Sequence, residues 1–152
     1  LFYLRDELYC LRASRAAELV PMVKLKQLPE DHTHLAGLMN YRGRIIPVLD
    51  LLSFFYGQST RPTLSSKIII SNYETDAGNK NIGLLVENLT EAVNKNKQDF
   101  VYTGIDADDC KYFNSLLMHN EQLVPCIDIN ILIKRFDFLE HFDEGTDSAD
   151  VN

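Results

Sequence analysis

Short apolar stretches, not long helical periods, dominate the pattern of hydrophobic and polar positions along the chain. Many of their residues are β-branched or alternate with polar ones, as is typical of β-strands. Turn-forming residues at 61–63 and 76–79 lie between some of the stretches. The predicted strands cover 8–11, 45–49, 67–71, 81–86 and 122–127. Several short strands separated by turns predict a mainly β protein built as a small barrel or sandwich.

Two helices are predicted, each directly after a strand. Residues 51–56 are mostly apolar and lie between Asp50, which suits an N-cap, and Gly57, which suits a left-handed C-terminal position. A longer helix is predicted over 129–142, with Asp128 at its N-cap. The two aspartates also suggest paired carboxylates for acid–base catalysis. We favour capping, because each aspartate follows a strand and precedes an apolar helix.

One pattern occurs twice in the chain, at an offset of 78 residues. Residues 44–51 (RIIPVLDL) match 122–129 (QLVPCIDI), and the apolar positions that flank them agree. A weaker match, at an offset of 73, joins Glu18 to Glu91. A repeated order of strand, aspartate and helix in the two halves of the chain predicts two similar subdomains of roughly 70 residues each. Because each would be marginally stable alone, we expect them to pack together with a binding groove at the seam.

Composition and charge place the chain among ordinary globular proteins. It has 152 residues, about one domain, and is 45 % hydrophobic and 24 % charged. Its net charge of −7 is uneven, because six of the 22 acidic residues and no Lys or Arg lie in 137–152. The remaining 16 acids nearly balance 15 basic residues, so residues 1–136 form a near-neutral domain followed by a solvated acidic tail. This balance argues against nucleic acid as a partner.

Several further classes are excluded or disfavoured by the sequence. Its apolar runs are too short to cross a bilayer, and no secretory signal begins the chain. The first residue is a leucine, which leaves open whether native residues precede it. The cysteines at 10, 110 and 126 are odd in number and widely spaced. We therefore expect small core residues with free thiols in a reducing cytosol rather than a disulfide framework.

No catalytic set is evident in the sequence. The glycine and serine motifs of phosphate loops, dinucleotide-binding turns and nucleophile elbows are all missing from it. His32 and His34 have a spacing that places two imidazoles on one face of a strand, as a metal site requires. No third ligand lies nearby, and the stretch before them is typical of a surface loop. We therefore expect no metal, no cofactor and no enzymatic activity.

Residues 37–44 (GLMNYRGR) connect two apolar strands and predict the tip of a β-hairpin. Gly43 suits a position with positive φ, and Asn40 tolerates one. Arg42 then projects from a rigid turn, where its planar guanidinium offers several donors to carboxylates or carbonyls of a partner. The residues alone leave a solvated turn arginine equally open.

The same region resembles the signature of CheW-type coupling proteins. In residues 35–51 (LAGLMNYRGRIIPVLDL), a glycine, two apolar residues, asparagine, an apolar residue and Arg-Gly precede an apolar-Pro-apolar-Asp strand. Weaker likeness extends over residues 1–136, at 8–11, 18–20, 83–93 and 123–128. The long block is the specific part of the resemblance.

The resemblance implies a fold of two pseudo-repeated five-stranded SH3-like barrels packed together, with short helices and a C-terminal helix. It also implies a non-catalytic, cytoplasmic adaptor that does not insert into membranes. Its partners are then the cytoplasmic tip of a methyl-accepting chemoreceptor and the regulatory domain of a CheA-type histidine kinase. Two alternatives stay open: a regulatory domain excised from a longer CheA-type kinase, and a small barrel that binds RNA or another ligand.

The resemblance further implies which residues contact partners. Arg42 matches the signature arginine near the receptor groove, Glu18 an acidic interface residue, and Val86 a valine on the groove side of the second barrel. The expected contact set is Glu18, Val20, Asn40, Tyr41, Arg42, Gly43 and Val86.

The sequence also departs from the family pattern. Ala13 and Ala16 replace bulkier aliphatic residues, so the patch that they line is expected to be shallower. Tyr41 replaces a more usual leucine. The second repeat has residues 119–121 (HNE) at the place of the arginine turn, so we expect only one half to present an arginine.

Overall fold

A computed structural model of the chain describes residues 1–12, 16–29, 33–89, 97–101 and 113–136. This part of the chain is mainly β-structure. The strands are β1 (Phe2–Leu4), β2 (Glu7–Tyr9), β3 (Ala16–Pro21), β4 (Leu35–Tyr41), β5 (Arg44–Asp50), β6 (Lys67–Thr75), β7 (Gly78–Val86), β8 (Asn88–Leu89), β9 (Phe100–Val101), β10 (Phe113–His119) and β11 (Gln122–Ile127). The helices are α1 (Leu51–Tyr56), α2 (Ile129–Ile133) and a 3₁₀ turn at Lys97–Asp99. Within the described ranges, no helix is long and apolar enough to span a membrane.

The first barrel is a five-stranded sheet with the strand order β3-β6-β7-β5-β4. Its pairs are antiparallel except for β5 and β7, which run parallel. The stretch that follows β3 returns to β4, where Lys26 and Leu38 exchange two backbone hydrogen bonds of 2.8 and 2.9 Å. This contact joins the two outer strands, so the sheet closes into a barrel.

The second barrel is built from both ends of the described chain. One sheet has the order β2-β1-β8 and the other the order β11-β10-β9. Cys10, directly after β2, pairs in parallel with Cys126 on β11 and joins the two sheets. The Cys10 N–H donates to the Pro125 carbonyl, and the Ile127 N–H donates to the Cys10 carbonyl, each at 3.0 Å. All of the first barrel therefore lies between the two chain segments that make the second.

The structure confirms the predicted duplication in the pairing of single residues. The two hairpins have irregularities at equivalent places, between Leu35 and Gly37 and between Phe113 and Ser115. Both hairpins lead through an aspartate into a short helix. Two further pairs of facing residues correspond between the barrels. The Leu38–Lys26 pair of the first barrel corresponds to Leu116–Val101 of the second, and the Val48–Gly83 pair corresponds to Cys126–Cys10. Of the weaker match, Glu91 lies outside the described residues.

Buried side chains form three clusters. The interior of the first barrel holds eight buried residues: Leu25, Met39, Tyr41, Ile46, Val48, Ile68, Ile70 and Leu85. The described interior of the second barrel holds four: Cys10, Leu117, Val124 and Cys126. The largest cluster lies between the barrels and takes residues from both, with Tyr9, Phe55 and Phe113 stacked ring on ring. The seam is therefore a packed, shared core.

Both aspartate caps are confirmed, but the second helix is shorter than predicted. Asp50 caps α1 and Gly57 ends it with a left-handed φ of 73°, as the sequence predicts. Asp128 caps α2, which ends at Ile133, whereas the predicted helix continues to residue 142. The Phe136 N–H donates to the Ile133 carbonyl, three residues back, so the chain leaves the α-helical pattern in a tighter turn. Residues 137–142 of the predicted helix, like the acidic tail, lie outside the described residues.

The expectation of free cysteine thiols is wrong for two of the three cysteines. A disulfide bond joins Cys10 and Cys126 inside the second barrel. Their location in the core is as predicted, but the parallel pairing of the two strands places their Cα atoms only 4.7 Å apart. This proximity depends on the closure of the barrel, so the spacing in sequence does not indicate it. Cys110 lies outside the described residues.

Candidate functional site

The tip of the β4–β5 hairpin is a two-residue turn made by Arg42 and Gly43. Both have positive φ, 51° and 82°, as a type I′ turn requires. Asn40 keeps its place in the strand, and its side-chain oxygen accepts a hydrogen bond of 2.9 Å from the Gly43 N–H. The predicted hairpin is confirmed, and Arg42 is held at its tip in a conformation that costs a non-glycine residue roughly 1 kcal/mol.

The carboxylate of Glu18 anchors this turn to the neighbouring strand β3. One of its oxygens accepts hydrogen bonds from the Tyr41 hydroxyl at 2.7 Å and from the Arg42 guanidinium at 3.1 Å. The guanidinium carbon also lies 5.2 Å from the centre of the Tyr41 ring. We call Glu18, Tyr41 and Arg42 the arginine cluster. Its members are 24 residues apart in sequence at most, and closure of the first barrel brings them together.

The arginine cluster is partly buried at its base and open at its top. Tyr41 is buried, whereas the Arg42 side chain is 74 % exposed and that of Glu18 is 39 % exposed. The hydrogen bond to Glu18, helped by burial, raises the pKa of the Tyr41 hydroxyl. Glu18 thus fixes the direction of a guanidinium that still presents most of its surface to solvent. Such a group can donate to carboxylates or carbonyls of another molecule.

The two predicted valines lie in different environments. Val20, on the same strand as Glu18, is half-buried and packs against the interior of the first barrel. Val86 is completely buried in the shared core, at the end of β7. The expected place of Val86 on the second barrel is wrong, because β7 belongs to the sheet of the first barrel. That a partner contacts this valine stays a prediction. Ala16 packs against the shared core, and Ala13 lies outside the described residues.

A cleft of about 770 Å³ lies on the first barrel and is lined in part by residues from 22–27 and 33–36. Its polar wall includes Asp50, which is buried and accepts hydrogen bonds from the N–H groups of Ser53 and Thr60 and from the Thr60 hydroxyl. His34 is bonded to the Ser53 hydroxyl through Nδ1 at 2.8 Å. These bonds fix the structure of the cleft wall and engage the carboxylate of Asp50 in capping and loop attachment.

Within the described residues, His34 is not part of a metal site. His34 lies at the cleft with a positive φ of 67°, and its ring packs edge-on against Phe54 and Phe136. His32 lies outside the described residues. Among the side chains that the structure describes, no group of three His, Cys, Asp or Glu residues is placed to hold a metal ion.

A second candidate surface, which we did not predict, lies on the outside of the second barrel. Met118 pairs with Leu123 across the strands, and Leu116 pairs with both Pro125 and Val101. Cross-strand partners and residues two apart share one face of a sheet. These five residues, here called the outer apolar face, include three exposed large side chains, Val101, Met118 and Leu123. The sequence signal was weak because both faces of β10 carry apolar residues.

The chain is similar to a protein of known structure. That protein is the scaffolding protein TtCheW from Thermoanaerobacter tengcongensis, known from a crystal structure. The two chains align with a TM-score of 0.71 and 27 % sequence identity, over 88 % of this chain and 89 % of that chain. A comparison with curated protein sequences gives no match.

The closed barrels, their shared core and their repeated register define a class, the duplicated double-barrel β proteins of SH3-like form. The family model of the CheW-like domain matches residues 1–137, which include both barrels and the arginine cluster. The chain belongs to the CheW-like domain family.

Proposed function

We propose that this protein is a non-catalytic scaffold that couples a methyl-accepting chemoreceptor to a CheA-type histidine kinase in a chemosensory array. The observation that carries the proposal is the arginine cluster in a chain of the CheW-like family. Its exposed guanidinium is fixed by Glu18 and by a rigid turn. A donor held in this way can set the register of a docked helix, which is what an adaptor requires.

A scaffold needs two surfaces that can be occupied at the same time. The arginine cluster lies on the first barrel and the outer apolar face on the second, so one partner does not need to displace the other. We assign the arginine cluster to the receptor tip, because backbone carbonyls and carboxylates accept its hydrogen bonds. We assign the outer apolar face to the kinase regulatory domain, because exposed apolar side chains grouped on one sheet suit a protein interface.

The two capping aspartates support a role without catalysis. Asp50 and Asp128 both accept backbone hydrogen bonds at helix N-termini, as capping requires. Their carboxylates are engaged in holding the fold. In this proposal the protein works in the cytoplasm and reaches the membrane array only through its partners.

Removal of the Arg42 guanidinium tests the receptor surface. We expect Arg42→Ala to weaken receptor binding by about five- to 150-fold, which corresponds to roughly 1–3 kcal/mol for lost charge-assisted hydrogen bonds. Arg42→Lys should restore only part of the affinity, since an ammonium lacks the planar arrangement of donors. Binding is measured by titration of a receptor-tip peptide or fragment.

The matched control is Arg44→Ala, because Arg44 is an exposed arginine at the start of the adjoining strand. We expect it to leave binding nearly unchanged. Arg42→Ala should also unfold within about 1 kcal/mol of the wild type, since exposed ion pairs contribute little stability. Normal receptor binding by a folded Arg42→Ala variant would refute the assignment.

Leu123→Ser tests the kinase surface in the same way. We expect this variant to lose kinase binding and to keep receptor binding, because Leu123 lies on the outer apolar face and the arginine cluster does not. Leu64→Ser is the control, since Leu64 is fully exposed on a loop of the first barrel. Equal kinase binding by both variants would remove the outer apolar face from the proposal.

A further inference from the structure

The two barrels contain different residue pairs at one equivalent position. In the first barrel Val48 lies opposite Gly83 across the parallel strands β5 and β7. The repeat offset of 78 residues relates Val48 to Cys126, and in the second barrel Cys126 lies opposite Cys10. A Cβ atom on Gly83 would lie only 2.9 Å from a methyl carbon of Val48, so the first barrel fills this place with one valine side chain. The second barrel fills it with a covalent bond.

The bonded cysteines are half of the described buried residues inside the second barrel. Of the four described buried residues there, two are the bonded cysteines, and the others are Leu117 and Val124. The first barrel has eight described buried residues in its interior, and its strands contain no cysteine. A disulfide that closes a long loop, here with a sequence separation of 116, commonly stabilises the fold that it joins. The second barrel should therefore be much more sensitive to reduction than the first.

We propose that Cys10 and Cys126 form a reversible redox site that controls the stability of the second barrel. On oxidation, a small-molecule disulfide accepts two electrons and two protons from the two thiols. The Cys10–Cys126 bond forms, the S–S bond of the oxidant breaks, and the oxidant leaves as two thiols. A small dithiol reverses the step and becomes a cyclic disulfide itself.

The structure also sets the rate of this exchange. Cys10 is 5 % exposed and Cys126 is 1 % exposed, so a dissolved reductant meets the bond only after β2 has separated from β11. Exchange then depends on local opening of the second barrel. Its rate should rise in mild denaturant, while the first barrel stays closed.

The site also affects the outer apolar face. Leu123 and Pro125 of this face lie on the same strand as Cys126, so loosening of β11 disturbs their arrangement. This consequence for docking depends on the proposed function, because it concerns the assigned kinase surface. The change in stability does not, and it holds whether or not the protein binds a kinase.

The test compares oxidised and reduced wild-type protein. When each form is denatured in the presence of an alkylating agent, the oxidised chain should take up one alkyl group and the reduced chain three, since the sequence has three cysteines. Reduction with dithiothreitol should lower the thermal midpoint by roughly 5–15 °C. Hydrogen exchange should become faster in β10 and β11 and change little in β6 and β7.

Two variants control the comparison. Cys110→Ser should keep the full redox effect, because Cys110 is not in the bond. Cys10→Gly with Cys126→Val, which copies the pair of the first barrel, should show the same midpoint with and without dithiothreitol. If this double variant does not fold, the wild-type comparison decides alone. Three alkylations after treatment with oxidised glutathione, or equal midpoints of oxidised and reduced wild type, would overturn the proposal.

Discussion

The two barrels share a backbone plan but differ in what fills them and what they expose. The first has eight described buried residues in its interior, an arginine at its turn and a polar residue, Asn40, opposite Ile45 on its outer face. The second has a smaller described interior with a disulfide, and Met118 opposite Leu123 at the equivalent place. Register, bulges and caps are common to both because the backbone sets them. The side chains differ, so each barrel presents a different surface.

The largest predicted difference between the barrels concerns their capping aspartates. Asp50 is buried and accepts three hydrogen bonds, two of them from Thr60. Asp50→Ala leaves these donors without their acceptor and should destabilise the protein by about 2–4 kcal/mol. Asp128→Ala, at a half-buried cap, should cost about 1 kcal/mol. Urea denaturation measures both, and equal losses would contradict the comparison.

Gly83 offers the next test, since its missing side chain makes room for Val48. A Cβ atom there would lie 2.9 Å from Val48 and 3.0 Å from Ile68. Gly83→Ala should therefore cost about 1–3 kcal/mol through overpacking. Adding Val48→Ala should recover part of this loss, so the two effects should not add. Strict additivity in denaturant titrations would show that the close approach has no energetic effect.

The two hairpin turns each contain one unfavourable residue, at different places. The first has Arg42 before Gly43, and the second has Asn120 before Glu121, with φ positive at all four. Arg42→Asn and Glu121→Gly should each stabilise the protein by about 0.5–1 kcal/mol, because both create the Asn-Gly sequence that suits a type I′ turn.

Thermal unfolding and receptor binding together separate the two turns. Both variants should unfold at a higher temperature than the wild type, but only Arg42→Asn should lose receptor affinity. Stabilisation without loss of binding in Arg42→Asn would mean that the strained arginine has no role in docking. This outcome would remove the functional difference between the turns.

The smallest predicted effect concerns alkaline pH. The hydrogen bond to Glu18 raises the pKa of Tyr41 above its unfolded value of about 10. The folded state then holds this proton more tightly, so its contribution to stability is complete below about pH 10 and is lost as the pH rises through the folded pKa. The equivalent position in the second barrel is His119, which has no phenolic hydroxyl. Tyr41→Phe should reduce the decline in urea midpoint between about pH 9 and pH 11, and an unchanged decline would contradict this account.

Local signals in the sequence were sufficient for much of the fold. The caps at Asp50 and Asp128, the end of α1 at Gly57 and the turn at Gly43 each depend on residues within one turn of helix or hairpin. The repeat was visible because it preserves the same local order twice. The resemblance to CheW-type proteins implied two barrels packed together, and the structure confirms this arrangement.

Features that depend on distant pairing were not accessible in the same way. The disulfide joins residues 116 positions apart, and the parallel bridge that positions them has no local signature. Val86 was expected at an interface from the family resemblance. Its burial follows from the position of β7 between two cores, since Val86 packs in the shared core and Leu85 in the first barrel. In the candidate site, Arg42 and its turn were predictable. The anchoring of Tyr41 and Arg42 by Glu18 required the closed barrel.

The interleaving of the barrels also sets an order in time during synthesis. Residues 16–86 contain all strands of the first barrel, so this barrel can fold as soon as they have been made. β1 and β2 are made before it, but the second barrel to which they belong is complete only when β10 and β11 have been made. Pairing over such a sequence distance is slow, and chains fold largely from the N-terminal side as they are made. The first barrel thus provides the surface on which the second is assembled, and β1 and β2 are among the last strands to reach all of their native contacts.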